Sequence, residues 1–512
     1  MYRPLAAAIV ATLTSCSAAA EGQDTKAATA PDYSLTVYSA AQPGQLSTAN
    51  LAQYGANLPG YALVRDSRRM DLTQGIGALR FTDVAKRIDP TTVAFESLSD
   101  PAGTRVIEQN YQYDLVDNAK LLDRYIGQTI KVDQVHGDKT ETISGTLLSA
   151  GGGLILQRET GEVVTLGSYS NIQFPALPGG LITRPTLVWK VDSKRGGAQD
   201  SRVSYQTQGV TWWSDYNVTM REAHIRKDGV GACDMDLAAW VTLVNQSGGS
   251  YPNAQLKLVA GEVNRAPSAA PSPIMMAKVE KRAMRDEADA GFAESSLSEY
   301  HLYTLGRRTD LPENSTKQLE LFPAVHAVAC RKQLVFTAGP LPWSWWSGPI
   351  QDQGYAATSQ GSVGSYLEFD NKEANRLGVP LPAGRVRVNM ANQSDGALEF
   401  VGEDVIKHTP RNETLRIKLG NAFDIVGERK QTNFRIDTSA KTIDESFEIS
   451  VRNRKKEAAT VVVREYLYRW SSWEITAKNH AFEKRDAQTI DFPLDIAADG
   501  EAKLTYTVHY HW

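Results

Sequence analysis

Three cysteines in 512 residues are too few to staple a large chain together, so its stability has to come from packed cores. No apolar run reaches the roughly 18–20 residues that a membrane-spanning helix needs. Positive charge is not in excess: 55 − 59 gives a net charge of −4, which argues against nucleic acid as the main partner. Familiar catalytic signatures are also missing. There is no G-x-S-x-G turn to expose a nucleophilic serine. Gly151-Gly152-Gly153 joins two strand-like runs and opens no phosphate-cradling helix. The eight histidines (His136, His224, His301, His326, His408, His480, His509 and His511) fall in no H-E-x-x-H pattern. What is abundant is ordinary globular material, 42% hydrophobic and 22% charged, in a chain long enough for about three domains.

Residues 1–16, MYRPLAAAIVATLTSC, read as an export signal, with Arg3 before an apolar Leu5–Leu13 segment. Leu13-Thr14-Ser15-Cys16 fits the bacterial lipobox, which predicts a lipidated Cys16. Cleavage after Ala20 is the alternative. Ser17, rather than Asp, after the cysteine favours the outer membrane. The expected location is therefore the periplasm, anchored to a membrane through lipid. Residues 17–32 have the composition of a tether. In an exported chain the remaining pair, Cys233 and Cys330, suggests a disulfide, and two buried thiols is the other reading.

The dominant pattern is alternation with period two. Leu504, Tyr506, Val508, Tyr510 and Trp512 share one face, and Lys503, Thr505, Thr507, His509 and His511 the other. Similar stretches at Ala62–Leu72, Arg105–Tyr113, Trp240–Asn245, Gln255–Ala260, Leu415–Leu419 and Thr460–Tyr468 are separated by turn signals such as Asp395-Gly396 and Asp499-Gly500. The fold class expected is mainly β, with several Ig-like β-sandwich units. A short helix at Ala119–Tyr125, followed by five short strands up to Phe174, resembles a small Sm-like or SH3-like barrel. The expected organisation is a signal at 1–16, a tether at 17–32, an N-terminal β domain at 33–117 and the small barrel at 118–175. A sandwich at 176–263 and 298–437 is interrupted by a linker at 264–297, and a C-terminal Ig-like sandwich occupies 438–512. The 264–297 segment reads as a surface loop, or as a docking helix with Met275, Met276 and Met284 on one face.

Five stretches carry a family resemblance: Arg105–Leu115, Gly179–Trp189, Asn253–Asn264, Glu299–Leu305 and Gly420–Phe434. They resemble the bacterial envelope proteins with domain of unknown function 4139, which include the mucoidy-inhibitor-like proteins. The resemblance runs from about Ser34 to Trp512 and implies an envelope location. It implies no catalytic residue and no cofactor. The family's better-known members insert a coiled coil. This chain has no sustained heptads and places the small barrel there.

Pro340–Trp346, PLPWSWW, is the most unusual local feature. Exposed, Trp343, Trp345 and Trp346 could stack on sugars, contact a partner or lie at a membrane surface. Tryptophans usually anchor cores, so burial is the expectation, as it is for Trp212, Trp213, Trp470 and Trp473. His509 and His511 share a strand face, and Asp234 and Asp236 do too, but neither pair comes with enough further ligands for a metal. No metal, cofactor or catalytic group is predicted. The reading that follows is a non-enzymatic envelope binding or scaffold protein, whose partner is another envelope protein or a polysaccharide. The alternatives are a polysaccharide hydrolase and a carbohydrate-binding protein using the Trp343–Trp346 loop.

Overall fold

The computed structural model describes residues 30–39, 41–136, 139–221, 224–225, 231–261, 263, 292–337, 339–340, 348–392 and 395–512. The chain is mainly β with several separate sheets. It divides into two compact units. Of the described residues, the first comprises those within 30–34, 63–207 and 247–254, and the second those within 35–62, 208–246 and 255–512.

In the first unit, strands Gly75–Phe81, Thr186–Ser193 and Thr104–Gln112 form a three-stranded antiparallel sheet, with Trp189 buried against Phe81 and Phe95. Strands Tyr61–Leu72, Gly197–Gln208 and Ile88–Ser97 adjoin in that order. A separate five-stranded sheet follows the helix Asn118–Arg124. The helix starts where the Asp117 carboxylate accepts a hydrogen bond from the Lys120 N–H, satisfying one of the free donors of its first turn. Leu122 and Tyr125 pack on Ile130, Val132, Ile143, Leu147, Leu154, Leu156 and Leu166, so every strand but the last contributes a fully buried aliphatic residue to this small core. The five strands are Thr129–His136, Lys139–Ser149, Leu154–Gln157, Val163–Leu166 and Asn171–Gln173.

The second unit is built on a 14-stranded sheet. Two of its strands are far longer than alternation alone suggests: Ser315–Thr337, with 23 residues, and Thr414–Asp437, with 24. The apparent breaks are bulges and changes of partner. Around Gly420 the register of Thr414–Asp437 against Thr358–Asp370 shifts, residues from Ile425 on also pair with Thr442–Asn453, and beyond Lys430 that is the partner that continues. Such a strand does not end; it bends from one neighbour to the next.

The C-terminal core gathers Phe336, Val363, Phe447, Ile449, Val461, Val463, Phe492, Leu504, Tyr506 and Val508. Gly427 lies against this core so closely that an added Cβ would fall 2.5 Å from the Phe336 ring. Trp470 and Trp473 are half-buried on the same core, and Trp212 is fully buried in its own strand.

That core also contains two ion pairs with no exposure at all. Arg469 donates from Nε and Nη2 to the two oxygens of Glu445 at 2.7 Å each. Arg429 Nε donates to Glu465 Oε2 at 3.0 Å, and the Tyr506 hydroxyl donates to the same oxygen at 2.6 Å. The Arg429 guanidinium lies 3.5 Å from the centroid of Phe447. Burial, the largest single influence, opposes the Arg429 charge, but the Glu465 carboxylate together with the Tyr506 and Tyr468 hydroxyls outweighs it and pushes its pKa up. The remaining donors hold a loop: Arg469 Nη1 bonds the carbonyls of Ile350 and Asp352 at 2.9 Å, and Arg429 Nη1 bonds that of Ala356 at 2.7 Å.

Candidate functional site

A cleft in the second unit has a volume of about 570 Å³. Strands Gly231–Asn245, Ser315–Thr337 and Thr358–Asp370 supply its base, and the turn at Lys372–Asn375 supplies a wall. In register, Ala232 faces Arg331, and Arg331 faces Glu368. Two residues along, Asp234 faces Ala329. Opposed residues in an antiparallel ladder share a face, as do residues two apart. Asp234, Arg331, Glu368 and Asp370 therefore project to one side of the sheet. Cys233, Cys330 and Phe369 project to the other, where they are buried.

Cys233 and Cys330 are joined by a disulfide, with Cα atoms 4.9 Å apart, between directly opposed residues. It ties two of the strands that form the cleft at the point where Asp234 and Arg331 emerge. The wall is tied down separately. Asn375 accepts from the Ala329 N–H at 2.7 Å and donates to the Ala329 carbonyl at 3.0 Å, so one side-chain amide caps the strand edge that Thr358–Asp370 no longer covers. Arg376 donates to the His326 carbonyl at 2.8 Å.

The lining carries three cations, Arg221, Arg331 and Lys372, and three carboxylates, Asp234, Glu368 and Asp370. Most are partnered. Arg221 pairs with Asp236 at 2.7 Å. Burial opposes the Asp236 charge, yet the Ala327 N–H, Arg221 and His326 outweigh it and hold the carboxyl below its usual range. Glu368 sits between Arg416 at 3.4 Å and Arg331 at 3.8 Å. Asp370 accepts from the Thr414 hydroxyl at 2.7 Å and pairs with Lys372 at 3.4 Å, and these contacts hold its carboxyl low as well.

A lowered carboxyl pKa contributes stability above the ordinary aspartate value of about 3.9 and loses it as pH falls through the lowered value. Asp370→Asn should therefore give a shallower loss of stability than wild type between about pH 5 and pH 2. Urea unfolding midpoints across that range test this, and parallel curves would count against it.

Other residues singled out in the sequence fall elsewhere. Cys16, Trp343, Trp345 and Trp346 lie outside the described residues, as does most of 264–297. His509 and His511 stack with ring centroids 6.4 Å apart, but His509 Nδ1 is 2.7 Å from Asp444 and His511 Nε2 is 2.8 Å from Ser472. Among the described residues no group of three or more His, Cys, Asp or Glu side chains could hold a metal. Asp234 and Asp236 point the same way but part company: Asp236 is engaged by Arg221, His326 and Ala327, and Asp234 faces the cleft. Arg221, Arg331, Glu368, Asp370, Lys372 and Asn375 carry no local signal, because four separate segments bring them together.

No protein-family model matches the chain, and no curated protein matches it.

Proposed function

We propose that the protein is a non-enzymatic binding protein of the bacterial cell envelope that holds its ligand in the cleft beside the Cys233–Cys330 disulfide. The cleft is the observation that carries this reading: about 570 Å³, lined by six charged side chains, and braced by a cross-link and a side-chain amide clamp. Its chemistry favours binding over turnover. Glu368 and Asp370 are two apart on one strand rather than facing across the cleft. Asp370 is held low by Thr414 and Lys372, whereas a general acid needs its carboxyl raised.

The lipobox at Leu13–Cys16 and a disulfide suited to an oxidising compartment support export and a lipid anchor. On this reading the chain is related to the envelope proteins with domain of unknown function 4139, its helix-plus-five-strand element is Sm-like, and its sandwiches are Ig-like.

The test uses the full chain. Ala374 lines the cleft from an exposed position, so Ala374→Trp fills the cleft without touching a core. Wild type should be retained on immobilised outer-membrane fragments and the variant released, with equal melting temperatures. Equal retention of the two would reject the cleft as the binding site. In parallel, Cys16→Ser should move the protein from the membrane to the soluble fraction, and a wild type that is already soluble would reject the anchor.

A further inference from the structure

Among the described residues, two opposite charges in the cleft are left open or only loosely paired. Asp234 is exposed, and among the described residues its carboxylate has neither an ion pair nor a hydrogen bond. Arg331 is half-exposed, and its nearest acid, Glu368, stands at 3.8 Å and is shared with Arg416. Asp234 and Arg331 do not pair with one another. Their register makes them diagonal neighbours across the ladder, Asp234 facing Ala329 and Arg331 facing Ala232. Diagonal neighbours stand roughly 7–8 Å apart. The disulfide on the opposite face fixes that spacing.

The lining as a whole is neutral, three cations against three carboxylates, so it attracts neither a net anion nor a net cation. It suits a ligand that carries both charges close together. In an α-amino acid the ammonium and the carboxylate lie roughly 3 Å apart. Adding a charge-assisted hydrogen bond of about 2.8 Å at each end spans about 8–9 Å, within reach of the two side-chain heads. The cleft is far larger than one such head, so the head is borne on a larger molecule.

We propose that the cleft recognises an α-amino-acid zwitterion carried on a larger ligand, with the ammonium on Asp234 and the carboxylate on Arg331. The inference rests on reading the cleft as a ligand site. Arg221 and Lys372 stay with their own carboxylates and set the neutral field.

Three small probes separate the charges: Nε-acetyl-lysine keeps the zwitterion, Nα,Nε-diacetyl-lysine lacks the ammonium, and Nε-acetyl-lysinamide lacks the carboxylate. Calorimetric titration of the full chain should show the first binding about tenfold or more tighter than either of the others, one lost charge-assisted contact being worth that factor. Asp234→Asn should abolish discrimination against the diacetyl probe alone. Arg331→Gln should abolish discrimination against the amide alone. Both positions are at the surface, so melting temperatures should stay level and serve as the folding control. Equal binding of the three probes, or none, would overturn the zwitterion while Ala374→Trp still loses outer-membrane fragments. Were that retention also unaffected, the cleft reading beneath it would fall with it.

Discussion

Arg429→Met should destabilise the second unit by about 3–5 kcal/mol, because it leaves the Glu465 carboxylate charged and fully buried with only the Tyr506 hydroxyl beside it. Glu465→Leu should cost a similar amount by stranding the guanidinium between Phe447 and the Ala356 carbonyl. The double variant is the informative one. An apolar pair of similar volume carries no desolvation penalty, so Arg429→Met with Glu465→Leu should recover most of the loss. Chemical unfolding followed at the second unit's transition gives the cycle. Additive losses in the double variant would show that the two groups do not act as a pair. The Ala356 carbonyl also loses its donor in both arginine-free variants, so proteolytic nicking should rise near residues 350–357 even where global stability is regained.

Opening the Cys233–Cys330 bridge should be comparably costly. The two residues are 97 apart in sequence, and the chain-entropy model assigns a closed loop of that length about 4–5 kcal/mol. The double change to alanine, and the wild type under reductant, should shift the unfolding midpoint of the second unit alike. A shift in one and not the other would separate the cross-link from the packing of two small side chains. The lesion is local as well, because the bridged strands are those from which Asp234 and Arg331 project. Probe binding should therefore weaken under reducing conditions in which the fold is still intact.

How much was legible beforehand depends on the range of the signal. Alternation is local, so the strand faces at Leu504–Tyr510 and the helix with five short strands after Asp117 can be read directly from residue order. Strand ends fare worse where bulges mimic turns. The alternation at Leu415–Leu419 stops at Gly420, yet the strand runs from Thr414 to Asp437, because the register against Thr358–Asp370 shifts there without the pairing ending. The cleft is not legible at all. Arg331 and Glu368 become neighbours only through the register of two strands, and Asn375 matters because it caps a strand edge at Ala329. Two cysteines can be noticed by counting, but their opposition is again a matter of register. The buried arginines are invisible for a different reason: composition predicts exposure for arginine, and only the surrounding carboxylates and rings overturn it.

The 23-residue strand Ser315–Thr337 has a temporal consequence. It pairs with Gly231–Asn245 on one side and Thr358–Asp370 on the other, and its last residues run parallel to Val461–Arg464, well over a hundred residues further on. A chain emerging from its N-terminus completes the first two pairings long before the third partner exists. Until then Leu334–Thr337 presents one unpaired edge, and the core around the Phe336 ring lacks Val461, Val463 and Phe492. Contacts of such range form slowly, since loop closure must precede any gain from pairing. A strand edge that waits unpaired in this way is open to wrong partners until residues 461–464 arrive.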